Sequence, residues 1–555
     1  MPSYSQLMMA TYFAAIAAVM TACGRSTPPE AARSGALVVA SVGEADVLFP
    51  PLAGTSAARQ VTELVYDYLT ETTPALNTLD DRSFATRLAK SWAWSADSMS
   101  LAVRLNPGAR WHDGRPVRSD DVAFTFRTYV DSLLGSPTAS QLSNIDSVTA
   151  NDSLTAVFWF RKRYPLQFYD ATSQMQIIPK HIFGIIPRDS LRGAAADIKP
   201  TGSGRYRFVN WKRGESIELV ADSANYRGSP KINRLMWRIF SSQESAARAL
   251  LAGEVDVLDV LRPENVRDIA TRKDLKTQIS AGADYAFMAF NLQTPRQPRR
   301  PHEIFASRDL RRALTMAIDR EAMTRNILDS LARPAVGPIT TSLIPKGSAL
   351  EQIPYDPVRA GKTLDSLGWR LDSKTGVRQK GSAPLRFKIL VPTSSLNRMR
   401  IAVLLQEAFR KVGVAAEVDQ MDNAAVSARV DARDFDAALL SWHLGTSPAS
   451  IRQIWTSVAA GNGGLNYGSY ASRTFDTSVD SAVTTLDPEK SKAYYAHAYQ
   501  TAIDDAPAIW LYETNLTLGI HKRIRTAPYR PDAWWYSLAD WYIPPNEQIP
   551  RDRIR

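Results

Sequence analysis

An α/β protein of two or more lobes is what this sequence predicts, and three observations predict it. Its 555 residues exceed what one hydrophobic core usually organises. Helical and strand patterns alternate along most of its length. Finally, "LRFKILV" (385–391), "RIAVLLQEAFRKVG" (400–413) and "VAAEVDQ" (414–420) read as strand, helix and strand, a β-α-β unit that places both strands in a parallel sheet. Within that helix Ile401, Leu404, Leu405, Ala408, Phe409 and Val412 recur at three- and four-residue steps, and Gly413 supplies the stop. At least two sheets are expected.

Composition narrows the class. Apolar residues make up 45% and charged residues 22% of the chain, which is ordinary for a globular protein and excludes a disordered or fibrous one. The net charge of +11 comes from 67 basic residues scattered among 56 acidic ones. The densest basic clusters, "RKR" (161–163), "RQPRR" (296–300) and "HKRIR" (521–525), are short and separate, so nucleic acid is not an expected partner. A basic surface beside an anionic membrane fits the same balance.

The elements follow in order. "LMMATYFAAIAAVMTAC" (7–23) is an apolar run too short to span a bilayer, and it suits the apolar segment of a secretory signal. It ends at Cys23, the only cysteine. "MTAC" (20–23) resembles the bacterial lipoprotein box, which implies a signal peptide over 1–22 and a lipidated Cys23. The Pro- and Ser-containing stretch that follows, to residue 35, reads as a flexible linker. With the only thiol used this way, the mature domain has no disulfide and relies on its core. "ALVVAS" (36–41) reads as a buried strand. "SAARQVTELVYDYLT" (56–70) reads as a helix with Val61, Leu64, Val65, Tyr68 and Leu69 on one face. Ser242 caps a helix ended by Gly253, and "VDVLDV" (255–260) alternates as a strand. Ser307 opens another helix, with Leu310, Ala313, Leu314, Ala317 and Ile318 as its apolar stripe.

"WHDGRPVRSDDVAF" (111–124) sets a histidine beside an aspartate, yet has a complete account without catalysis. Asp113-Gly114 is a turn signal. Ser119 caps the next helix, with Asp120 and Asp121 at its positive end. Adjacent side chains diverge, and no nucleophile motif lies nearby. The six histidines (112, 181, 302, 443, 497, 521) form no H-x-x-x-H pattern, and no phosphate loop, dinucleotide fingerprint or G-x-S-x-G elbow occurs. "GNGGLNYG" (461–468) lacks the lysine and helix of a phosphate loop and reads as an ordinary loop. No enzyme, cofactor or resident metal is therefore expected. Trp442, Trp455, Tyr467, Tyr470, Trp510 and Tyr512 lie near expected strand ends, where they either line a cleft for an amphipathic ligand or fill the core.

Several stretches then join up. "SWAWSADSMSLAVRLNPGARWHDGRPVRSDDVAFTF" (91–126) resembles a signature of the extracytoplasmic solute-binding proteins of peptide and nickel ABC transporters, the family 5 solute-binding proteins. "PTGSGRY" (200–206), "ALLAGEVDVLDVL" (249–261), "FMAFNLQTP" (287–295), "SRDLRRALTMAIDREAM" (307–323), "YDPVRAGKTLDSLGW" (355–369) and "NYGSYASRTFDTSVDSA" (466–482) match later segments in the family's order. The resemblance covers roughly 36–545.

It implies a periplasmic-binding-protein type II-like fold, with two lobes joined by a hinge and an extra subdomain inserted in lobe I. Lobe I would span 36–285 plus 515–555, with the insertion near 70–198, and lobe II 286–514. "YAFMAFN" (285–291) and "PAIWLYETN" (507–515) would cross between them. Trp111, His112, Asp113, Gly114 and Asp121 are then architecture. In peptide-binding members an aspartate three residues after a tryptophan pairs with the ligand's amino group. Here Trp442 is in register and Gly445 stands at the aspartate's place. Arg398 or Arg400 is the candidate for a ligand carboxylate. His443 faces the cleft or is a loop histidine. Ser41, Val42, Gly43, Glu44 and Asp46 match a segment that offers backbone groups to an extended ligand. The resemblance implies a monomer that captures a peptide or peptide-like solute and delivers it to a membrane permease driven by a separate ATPase. A lipoprotein presenting its ligand to a sensor, and a metal-chelate or haem carrier, are the alternatives on the same scaffold.

Overall fold

The computed structural model describes residues 34–195, 197–297, 299–345, 347–461 and 464–553. The expected signal peptide, Cys23 and the linker up to residue 33 lie outside them.

Among the described residues one sheet of eleven strands runs through the molecule. Its strands are β1 (Ser34–Val42), β2 (Tyr206–Lys212), β3 (Ser216–Ala221), β4 (Ile232–Phe240), β5 (Val257–Leu258), β6 (Leu275–Phe290), β7 (Ala332–Pro334), β8 (Arg386–Pro392), β9 (Ala415–Met421), β10 (Ala437–His443) and β11 (Ala508–His521). They lie in the order β9-β8-β10-β6-β11-β5-β1-β4-β3-β2, with β7 on β11. The two long strands β6 and β11 pair antiparallel and carry the sheet from one half to the other. Their pairing is interrupted between Ala281 and Asp284 by a bulge. Gly282 fits there because a Cβ would come 2.2 Å from the Thr514 carbonyl oxygen. A bulge bends and twists a strand locally, and a second register shift follows between Ala286 and Phe287.

Separate cores confirm two lobes. Leu37, Val39, Val61, Trp237 and Trp534 belong to one. On the far side of the bulge the sheet is covered on both faces: Met288, Phe290, Ile389, Leu405 and Phe409 pack on one, Tyr285, Phe287, Trp455 and Trp510 on the other. A third body inserted in the first lobe has its own four-stranded antiparallel sheet (Ala89–Trp94, Ser100–Leu105, Thr155–Phe160, Ile145–Ala150) and its own core around Leu101, Trp111, Phe126 and Phe158.

The β-α-β unit forms as its pattern dictates. β8 and β9 pair in parallel, and helix Leu396–Lys411 buries Ile401, Ala402, Leu405 and Phe409 against them. Each such large side chain contributes about 1.5–3 kcal/mol by leaving water. The helix begins earlier than the 400 expected, because Ser395 caps it by accepting from the Arg398 amide. Gly413 ends it at a φ of 78°, in the left-handed region.

Three expectations need correction. The helix expected over 56–70 covers only Ser56–Val65. The Val65 carbonyl accepts from the Gly204 amide, and Leu69 donates to the Thr172 carbonyl, so tertiary partners take over the backbone beyond Val65. The strand expected over 255–260 shrinks to Val257–Leu258, because the Asp256 side chain accepts from the Val38 amide and Asp259 from Trp534 and Gln60. Ser119 is not the cap of its helix. Arg118 holds that position, its amide donates to the Asp121 carboxylate at 2.8 Å, and the Ser119 hydroxyl turns instead to the Asp152 carbonyl.

Candidate ligand-binding cleft

The His112 turn is built into the frame of the first lobe. Gly114 has a φ of 89°, and its amide donates to the Trp111 carbonyl. The Gly202 amide donates to His112 Nδ1 at 3.2 Å, while His112 Nε2 faces the Gly204 carbonyl at 2.9 Å and donates to it. Both ring nitrogens are thus committed in the neutral form, and burial pushes the imidazole below its ordinary value. Asp113 pairs with His181 at 2.7 Å. The buried Asp121 accepts from Arg118, Lys180 and the Trp111 indole. All five signature residues hold loops together.

Between the lobes lies a cavity of about 330 Å³. The first lobe contributes Arg59, Glu63, Glu71, Arg530, Asp532 and Trp535, and the second contributes His443, Gly445 and Thr446. Burial raises the Glu63 carboxyl, and the Arg530 charge opposes the rise. Glu63 accepts from the Trp535 indole at 2.8 Å, and Arg530 pairs with Asp532 at 2.7 Å. Glu71 pairs with Arg87, which also lies 3.8 Å from the buried Asp67. A larger cavity of about 680 Å³ adjoins, between the inserted body and the second lobe. The two share Tyr169, Gln174 and Gly445 in their walls. The Tyr169 hydroxyl and Thr446 Oγ1, 2.5 Å apart, join the lobes directly. Both volumes fall in the range of small-molecule sites.

The residues singled out in the sequence distribute unevenly around this cleft. His443 and Gly445 line it. Asp284 hydrogen-bonds His443 Nδ1 at 3.1 Å and raises the imidazole above its ordinary value. Two residues back on the same face of β10, Ser441 accepts from Arg398 at 2.6 Å. Arg398 is thus tied to the β10 face that carries His443 but lines neither of the two cavities, whereas Arg400 is exposed and forms no ion pair among the described residues. Trp442 points to the opposite face, stacked on Tyr467 with ring centroids 5.9 Å apart. Trp455, Tyr470, Trp510 and Tyr512 are buried in the second lobe. Of the segment 41–46, whose first two residues end β1, Ser41 donates to the Gly43 carbonyl, Val42 and Gly43 are exposed, Glu44 accepts from Trp211 and Gly214, and Asp46 accepts from Gly54 and Thr55. Both carboxylates in it are consumed within the first lobe. Among the described residues no group of three or more His, Cys, Asp or Glu is placed to hold a metal ion, and no helix is long and apolar enough to cross a membrane.

Reading the sequence missed Glu63, Tyr169, Asp170, Arg530 and Asp532. One signal was present: Glu63 interrupts an apolar run next to Leu64 and Val65. The run "RPDAWWYSLADW" (530–541), dense in aromatic and charged residues, was another.

Comparison with known proteins agrees with this geometry. Residues 83–464 match the sequence profile of the bacterial extracellular solute-binding proteins, family 5 middle region. The oligopeptide-binding protein AppA of Bacillus subtilis is 26% identical over 556 residues, covering 97% of this chain and 98% of its own. Its structure in complex with a nonapeptide superposes with a TM-score of 0.73 at 25% identity, covering 92% of this chain and 99% of AppA. NikZ from Campylobacter jejuni, in complex with Ni(L-His), shares the fold at a TM-score of 0.73 and 24% identity, over 91% of this chain and 99% of its own. Two lobes, one hinged sheet, an inserted body and an interlobe cleft are the type II binding-protein architecture, and the chain belongs to the family 5 extracellular solute-binding proteins.

Proposed function

We propose that the protein captures a peptide or peptide-like solute between two closing lobes and delivers it to an ABC transporter permease with a separate ATPase. The observation that carries this reading is the polar, charge-lined cavity between lobes joined by two bulged strands, on a chain matched end to end by an oligopeptide-binding relative. A ligand touching both lobes favours the closed form by its extra affinity for it. In this reading lobe I spans 36–285 plus 515–555, with the insertion near 70–198, and lobe II spans 286–514. The protein acts as a monomer.

Arg398 meets an anionic group of the ligand. Arg398→Ala weakens binding of tri- to pentapeptides by about 1.5–3 kcal/mol in calorimetry, the scale of a charge-assisted hydrogen bond. If the wild-type protein binds no peptide of this length the peptide reading fails; equal affinity in the variant removes Arg398 from the site.

The reading includes a lipid anchor at Cys23, held by acyl chains at about 0.8 kcal/mol per buried methylene. Cys23→Ser releases the protein from membranes in fractionated cells. Retention of the variant in the membrane fraction refutes the anchor.

A further inference from the structure

The larger cavity contains one buried carboxyl that no cation neutralises among the described residues. Asp170, on the short helix Gln167–Ser173, is 7% exposed and lines the cavity wall contributed by the inserted body. Among the described residues no cation pairs with it. Burial raises its carboxyl to about 7, and the groups that oppose the rise, Tyr164 and Gln174, are both neutral. The Tyr164 hydroxyl lies in the same wall, is itself buried, and acts on the carboxyl from outside hydrogen-bonding geometry, without a hydrogen-bond partner of its own. A buried carboxylate lacking a counter-charge costs several kcal/mol. Here that carboxylate and an unused hydroxyl sit together at the wall of a space of about 680 Å³.

The remaining charges of the cavity have different roles. Arg452 and Asp480 pair with each other at 3.3 Å, both more than half exposed. Lys162 and Arg163 stand exposed at the rim. The second lobe contributes Gly445 to the same cavity, where a Cβ would meet no atom within 4 Å. The depth of the cavity thus favours a positive group, while its rim favours a negative one.

We infer that Asp170, with the Tyr164 hydroxyl, receives a protonated amine of the ligand, so that a zwitterionic solute enters with its ammonium group inward and its anionic groups toward the basic residues outside, Lys162 and Arg163 at the rim and Arg398 beyond it. This rests on the peptide reading above and specifies which end of the ligand lies in the larger cavity. A simple diamine has the inward group but nothing for the basic rim, so it binds less well than a zwitterion.

Native mass spectrometry of the mature protein, loaded with a library of tri- to pentapeptides, tests this. The arms are peptides with free amino termini, the same peptides N-acetylated, and putrescine. The wild type retains free-amine peptides at least tenfold better than acetylated ones, and better than putrescine. Asp170→Asn, which keeps the shape of a neutral carboxyl, loses at least tenfold of the free-amine signal. Asp170→Asn combined with Gly445→Asp, which sets a carboxylate on the second-lobe wall of the same cavity, regains part of it. Equal retention of free and acetylated peptides by the wild type overturns the inference even if Asp170→Asn fails to fold. Undiminished binding by a folded Asp170→Asn protein overturns it as well. Tighter binding of putrescine than of peptides overturns the zwitterion. Retention of no peptide in any arm instead removes the peptide reading on which the inference rests.

Discussion

His112 shows how a residue that looks chemical is held for structure. Its Nδ1 accepts from Gly202 and its Nε2 donates to Gly204, an arrangement available only to the neutral ring. The loop it pins carries glycines at both contacts because a Cβ on Gly202 or Gly204 would come 1.8 Å or 2.3 Å from the Val65 and Leu64 carbonyl oxygens. The folded pKa lies below the unfolded value of about 6.5, so the unfolded chain binds the proton more readily. The contribution of His112 is complete above that value and is lost as pH falls through the folded one. Between pH 7 and pH 5 the wild type therefore loses more stability than His112→Gln, measured as the shift in denaturation midpoint. Comparing the two cancels His521, which is also lowered, and His443, which is raised. A steeper loss in the variant contradicts the assignment. The turn was legible in the sequence because Asp-Gly encodes it locally. Its partners, some 90 residues away, were not, since no local pattern marks a loop that receives a histidine.

At the level of elements, local periodicity identified the helix at 396–411 and its flanking strands, whose apolar spacing is strong and whose contacts are near in sequence. It under-read β6, expected only from residue 285 but beginning at Leu275. The stretch "LKTQISAGAD" is half-exposed, polar and glycine-containing, so it shows no alternation; it is a strand because β11 pairs with it across more than 200 residues. The bulge within it interrupts the pairing with β11 and is therefore the expected bending point. Gly282→Ala forces β6 and β11 apart there and lowers stability by about 1–3 kcal/mol, the usual cost of overpacking, as read by urea denaturation. It also reduces the closure on ligand seen by scattering. A variant with wild-type stability and closure places the bend elsewhere.

At the level of the whole molecule, the collinear motifs made the architecture legible, whereas the cleft was only partly so. His443 and Gly445 were singled out by the family resemblance, beside and three residues after Trp442, and both line the cleft, whereas Trp442 faces the other way. The charged wall of Glu63, Arg530 and Asp532 draws on segments more than 460 residues apart, a proximity that composition and spacing cannot convey. The most direct test of capture by closure is small-angle X-ray scattering from ligand-stripped protein, repeated after addition of a saturating oligopeptide. The account predicts a fall in the radius of gyration as the lobes close. An unchanged profile with peptide demonstrably bound contradicts it.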